Sequence, residues 1–147
     1  MEIAGADALD AALTLLGLQF RQHGIELGGA LLRTALQELL ADPQRGAVLL
    51  AYDPEPIGVA VLAYTWTLEH GGRVAWLDEL FVVEHRRGEG VGGAMLARAL
   101  QVASDAGCRV IDLEVDFDHE RSEHLYERHG FRRVQRRRWM KSFDRIA

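Results

Sequence analysis

The chain has 147 residues, 48% hydrophobic and 27% charged, which matches one ordinary globular domain over 1–147 and leaves little room for a second. With 22 acidic against 17 basic residues the net charge is −5, which argues against a nucleic-acid partner and suits a cationic small molecule. No apolar run approaches the roughly 18 residues needed to cross a bilayer. Glu2, Asp7 and Asp10 replace the basic start of a signal peptide, and Cys108 stands alone, so neither a disulfide framework nor a thiolate metal site is available. The expectation is a cytoplasmic protein without a membrane partner.

Leu9, Leu13, Leu16 and Phe20 recur at spacings of three and four, which predicts an amphipathic helix over about 6–22, ended near Gly24. Leu32, Leu36, Leu39 and Leu40 give a second helix its apolar stripe, and Asp42-Pro43 stops it. Ala47–Tyr52 reads as a strand, Asp53-Pro54-Glu55-Pro56 as a turn, and Ile57–Leu68 as a long strand ended by His70-Gly71-Gly72. Arg73–Val83 follows, completing two antiparallel hairpins. Simple alternation puts Val74, Trp76, Leu80 and Val82 on one face and Ala75, Leu77, Phe81 and Val83 on the other, so this strand is covered on both sides. Asp78 and Glu79 interrupt it and point to opposite faces.

Arg86-Arg87-Gly88-Glu89-Gly90-Val91-Gly92 comes next and opens a helix that runs to about Ala106. A strand, a glycine turn and a helix N-terminus together hold anions. Glycine lets the backbone approach closely with φ > 0, and the first-turn N–H groups and the helix dipole favour negative charge. Cys108–Phe117 returns as a strand parallel to Arg73–Val83, then come a helix His119–His129, Gly130 as its cap, and a last strand Phe131–Phe143. Five of the sixteen arginines crowd that last strand: Arg132, Arg133, Arg136, Arg137 and Arg138. The fold class is α/β (mixed α+β), a largely antiparallel sheet with a central parallel βαβ pair and helices on both faces.

Gly88-x-Gly90-x-x-Gly93 satisfies the dinucleotide fingerprint, with Asp112 about 20 residues on, but it follows an antiparallel meander and too little chain remains for a doubly wound sheet. No Lys-Ser or Lys-Thr pair follows the glycines, which excludes a Walker loop. Arg87-x-x-Gly90-x-Gly92, preceded by Leu77-Asp78-Glu79-Leu80-Phe81-Val82-Val83 and followed by Leu125-Tyr126-Glu127-Arg128-His129-Gly130-Phe131, resembles the GNAT superfamily of acetyl-CoA-dependent N-acyltransferases. The resemblance implies acetyl-CoA as cosubstrate. Its pyrophosphate would lie on Arg87, Gly88, Gly90, Val91 and Gly92, and its pantetheine would pair with the backbone of Phe81, Val82 and Val83. His119 stands where the family often has a cofactor-contacting asparagine, and the chain contains no asparagine; histidine also donates or accepts a hydrogen bond.

By the same resemblance Tyr126 is the expected general acid. Acetyl transfer from a thioester expels a thiolate whose thiol has a pKa of about 8.5, and a phenol of pKa about 10 supplies its proton at neutral pH. An alkylammonium acceptor must also lose a proton before it attacks, and Asp78, Glu79 and Glu114 are candidates to take it. Glu114 resembles the catalytic glutamate of relatives that acetylate protein N-termini, and Asp78 the acid-rich strand of diamine and polyamine acetyltransferases. On a strand Cys108–Asp118, Asp112, Glu114, Asp116 and Asp118 would share one face, either to collect a cationic amine or as a solvated polar face. No metal is expected: His119, His124 and His129 are five apart, which rotates their side chains away from one another on a helix.

These readings lead to an N-acetyltransferase that moves the acetyl group of acetyl-CoA to a small primary amine by direct attack in a ternary complex. Two alternatives stand beside it, a protein N-terminal acetyltransferase and a non-catalytic coenzyme A or nucleotide-binding module. The resemblance further allows a homodimer.

Overall fold

The computed structural model describes residues 1–116 and 120–143. Among the described residues five strands form one sheet in the order β1-β2-β3-β4-β5. β2 (Gly46–Tyr52), β3 (Pro56–Thr67) and β4 (Gly72–Val82) are the antiparallel meander that the turn residues predict. Helix α3 (Val91–Asp105) carries the chain across one face to β5 (Val110–Asp112), which pairs with β4 in parallel, so the expected βαβ unit is present. β1 (Glu2–Ile3), which carries no alternating pattern long enough to be read from sequence, adds an antiparallel edge on β2.

Helices cover both faces. α1 (Leu9–Gln22) and α2 (Gly29–Ala41) pack on one, around Leu15, Leu16, Leu36, Val48, Leu50, Val59, Val61 and Phe81. α3 and, beyond it, α4 (Glu120–Arg128) pack on the other, around Leu49, Leu62, Leu77, Met95, Leu96 and Ala99. Buried aliphatic area of this kind contributes about 25 cal/mol per Å² and supplies most of the drive to fold. The buried stripe of α1 is Ala12, Leu15, Leu16 and Gln19, about one residue round from the predicted one, and a 3₁₀ turn at Ala6–Ala8 precedes it.

Strict alternation fails on β4, and the failure is informative. Glu79 pairs with Val61 but Leu77 pairs with Leu62, so one step on β3 spans two on β4 and Asp78 is the extra residue of a β-bulge. Before the bulge Ala75 and Leu77 face α3; after it, Leu80 and Val82 do, while Phe81 faces α1 and α2. The predicted division of β4 into two faces is therefore corrected, because the bulge inverts the parity of everything beyond it.

Two further expectations are corrected. β5 is three residues long, not ten, because its pairing stops at Trp76–Asp112 where the acidic alternation begins. Residues 131–143 form no strand. Their arginines instead tie the segment to the surface by ion pairs, Arg133 to Glu123 and Arg136 to Glu69, and the short β5 offers little edge to extend.

At Gly46 a Cβ would stand 1.9 Å from the Leu62 carbonyl oxygen and 2.9 Å from Leu39 Cδ1, so β2 and β3 approach here only because the side chain is a hydrogen. Gly46→Ala should cost about 1–3 kcal/mol, the usual range for overpacking, read as a lower urea midpoint with an unchanged m-value.

Candidate active site

Past Trp76 and Asp112 the two parallel strands cease to pair, yet β4 runs on to Val82. The divergence opens a cleft of about 310 Å³. Leu77, Asp78, Glu79 and Leu80 of β4 form one wall, and Glu114, Val115 and Asp116 the other. Gln19 from the last turn of α1, with His23 and Ile25 after it, closes one end; Ser122 and Tyr126 of α4 close the other.

The bulge brings both strand carboxylates into this cleft, where plain alternation predicts one on each face. Asp78 is exposed and Glu79 half-buried. Burial, and next the charge of Asp78, push the Glu79 carboxyl up to about 7, against the opposing pull of a hydrogen bond from the Gln19 side chain. Gln19 itself is 5% exposed, and its Oε1 has no hydrogen-bond partner. Glu114, one of the two carboxylates singled out from sequence, lines the cleft but is half exposed and ion-paired with Arg138, whose guanidinium lies 4.7 Å from the centre of the Trp76 ring. Asp112 is held in β5, and Asp116 lines the cleft without the regular strand spacing the sequence suggests.

Tyr126 is half-buried, and burial raises its phenol above the ordinary value of 10, so it stays protonated throughout the neutral range. Its helix ends as the sequence predicts: Gly130, at φ 89°, donates to Glu127 O, and Phe131 N–H donates to Tyr126 O, 3.0 Å away. The apolar contact that completes such a cap is Phe131 against Tyr126, edge to face with ring centres 5.7 Å apart.

The glycine turn has the geometry of an anion cradle. Gly88 (φ 81°) and Gly90 (φ 83°) adopt the left-handed conformation, and Gly90 caps α3 with no side-chain hydrogen bond to its first-turn amides. A Cβ at either glycine would meet nothing within 4 Å, so the space above them admits a ligand. Val91 and Gly92 begin the helix behind them. Arg86 braces the turn: it bonds Glu89 and Asp53, both at 2.8 Å, and Asp53 belongs to the β2–β3 turn. Arg87 turns towards β4 and α1. Its Nε donates to Val82 O (2.9 Å), one terminal nitrogen donates to Gln22 Oε1 (3.1 Å), and the guanidinium lies 5.4 Å from the Phe81 ring centre. Val83 N–H bonds to Ile57 on β3, so by the alternation of an antiparallel pair the polar groups of Val82 face the open edge. Asp118 and His119 lie outside the described residues.

The parallel strands part beside a glycine-capped helix, and comparison with known proteins gives the class, an acyltransferase of the GNAT kind. The profile of the acetyltransferase (GNAT) family matches residues 12–131, and the chain belongs to that family. It is an N-acetyltransferase by family membership and resembles others so named. An uncharacterized N-acetyltransferase, YhfO, of Bacillus subtilis is 28% identical over 77% of this chain and 74% of its own length. Thialysine N-epsilon-acetyltransferase of Bos taurus is 30% identical over 57% of this chain and 52% of its own length, so this chain spans about half of that protein. Among solved structures, an integron cassette protein from the mobile metagenome of Cole Harbour Salt Marsh superposes with a TM-score of 0.87 at 26% identity, over 97% of this chain and 90% of that one.

The Glu79 carboxyl also makes stability depend on pH. An unfolded glutamate titrates near 4.5 and this one near 7. Between those values the folded chain keeps a proton the unfolded chain has lost, so its contribution falls as pH rises from 4.5 to 7 and is constant above. Glu79→Gln should therefore raise Tm at pH 8 by about 3 °C or more and leave it unchanged at pH 4 in a calorimetric scan.

Proposed function

We propose that this protein transfers the acetyl group of acetyl-CoA to the primary amine of a small cationic molecule by direct attack within a ternary complex. The observation that carries this reading is a phenol and a carboxyl of raised pKa facing one cleft, the carboxyl three residues along β4 from the open-edge backbone of Val82. Gly88, Gly90, Val91 and Gly92 would receive the pyrophosphate, and Arg87 would swing from Val82 O to reach it. Of Phe81, Val82 and Val83, it is Val82 whose backbone faces the open edge and would pair with the pantetheine, its N–H polarising the thioester carbonyl, while Phe81 and Val83 stay paired with β3.

Glu79 is the base in this reading, in preference to Asp78 and Glu114. A carboxylate titrating near 7 is ionised often enough at neutral pH to take a proton from an ammonium and basic enough to do so efficiently. Asp78 supplies the like charge that helps to raise it, while Glu114 is occupied by Arg138. Once Glu79 has taken the proton, the amine nitrogen bonds to the carbonyl carbon and the carbon–sulfur bond breaks. Tyr126 protonates the departing thiolate and regains a proton from solvent, and the new amide nitrogen sheds its remaining extra proton. No covalent enzyme intermediate is required: burial raises the thiol pKa of Cys108, which lies at the end of α3 away from the cleft.

The acidic walls favour a cationic acceptor, and the likeness to a thialysine acetyltransferase makes thialysine the first amine to try. With acetyl-CoA and thialysine, free thiol release should follow a bell-shaped kcat/KM profile with an acid limb near pH 7 and an alkaline limb above 10. Tyr126→Phe should lower kcat about 100-fold or more and remove the alkaline limb. An unchanged kcat at every pH would take Tyr126 out of the mechanism.

A further inference from the structure

The last described segment of the chain reaches back to the cleft through one side chain. Residues 131–143 form no strand, and Trp139 and Met140 are each 89% exposed. Arg138, just before them, turns onto the body of the protein: its guanidinium lies 4.7 Å from the centre of the Trp76 ring and pairs with Glu114, which lines the cleft. Trp76 is half-buried at the last paired position of β4 and β5, where the cleft begins. An indole face beside a carboxylate attracts a cation in two ways, through the ring's negative face and through a formal charge, and a planar guanidinium uses both at once. Two other arginine–aromatic contacts have duties in the fold. Arg73, on Tyr64, donates to Ala106 O at the end of α3, and Arg87, on Phe81, belongs to the glycine turn.

We propose that Trp76 and Glu114 form a subsite for a guanidinium carried by the acceptor at the far end from its reacting amine, and that Arg138 is the chain's own competitor for it. This deepens the function proposed above and rests on it for the place of the amine, at Glu79. Trp76 precedes Glu79 by three residues, about 10 Å at about 3.3 Å per residue, a gap that a short alkyl chain spans. The Arg138 side chain is 63% exposed and that of Glu114 50%. Ion pairs so open to solvent contribute little to stability, so a soluble guanidinium has little to displace. Release of Arg138 breaks no strand hydrogen bond, and the segment keeps its anchors at Arg133–Glu123 and Arg136–Glu69. An acceptor without a second charge gains nothing from displacing Arg138. Selection is therefore for an alkylamine with a planar cation at its other end.

The test compares agmatine, putrescine and butylamine, primary amines on the same alkyl chain whose far end carries a guanidinium, an ammonium or no charge. Calorimetric titration without acetyl-CoA should rank their affinities in that order. Arg138→Gln should tighten agmatine about 3- to 10-fold by removing a tethered competitor, and leave butylamine unchanged. Trp76→Leu and Glu114→Gln should each bring agmatine close to butylamine; Glu114 is exposed, so its variant keeps the fold even where Trp76→Leu does not. With acetyl-CoA present, the amine KM from thiol release should shift in the same way, with an unchanged acetyl-CoA KM in Arg138→Gln.

An Arg138→Gln variant that binds agmatine no more tightly overturns the inference, since Arg138 then competes for nothing. An equal gain for putrescine or butylamine overturns it too, because the arginine then only obstructs the cleft. Agmatine-selective tightening without thiol release from any of the three amines keeps the subsite and counts against the catalytic reading. Selective binding and selective turnover together support both.

Discussion

A strand covered by helices on both faces has no natural place for a carboxylate, and β4 carries two. The bulge at Asp78 resolves the conflict. By adding one residue to one strand it lets the first half of β4 present Ala75 and Leu77 to α3, and lets the second half present Leu80 and Val82 to the same helix. The step between them turns the acidic pair towards the cleft. Without it, alternation would bury one carboxylate under α3 and leave the other alone against α1. The site follows from that step, because β4 beyond the bulge also outruns β5, and the unpaired edge of Val82 is what a donor substrate would meet.

The same strand explains what could be read from sequence and what could not. Turns and caps were legible because their chemistry is local. Gly107 and Gly130 end α3 and α4 with the hydrogen bonds expected of a left-handed glycine cap, and Gly90 starts α3 where the glycine turn says it should. The meander and the parallel crossover follow from turn residues and from the length of the connection. A bulge leaves no such mark. Leu77-Asp78-Glu79-Leu80 is compatible with either parity, and only pairing with Val61 and Leu62 on β3 decides it.

Long-range ion pairs hid in the same way. Glu114 reads as a free strand carboxylate until Arg138, 24 positions on, is brought beside it, and the arginine-rich last segment reads as a strand until the shortness of β5 leaves it no edge. Gln19 could have been suspected. It is the polar member of the helical series Ala12, Leu15, Leu16, Gln19, and a glutamine in that position needs a reason. The stripe drawn through Leu9, Leu13, Leu16 and Phe20 passed one residue to its side.

The two arginines of the glycine turn divide their work. Arg87 is held by reversible contacts to a carbonyl, an amide and an aromatic face, all of which a bound anion could outcompete. Arg86 is committed to Asp53 and Glu89 and is mostly covered. Surface hairpin turns ordinarily tolerate insertions and drift in length between relatives. Here the turn Asp53–Glu55 is joined by Arg86 to a segment 33 residues away that must keep its shape. The β2–β3 hairpin is therefore part of the glycine turn's scaffold, and a change in its length would be felt at the start of α3.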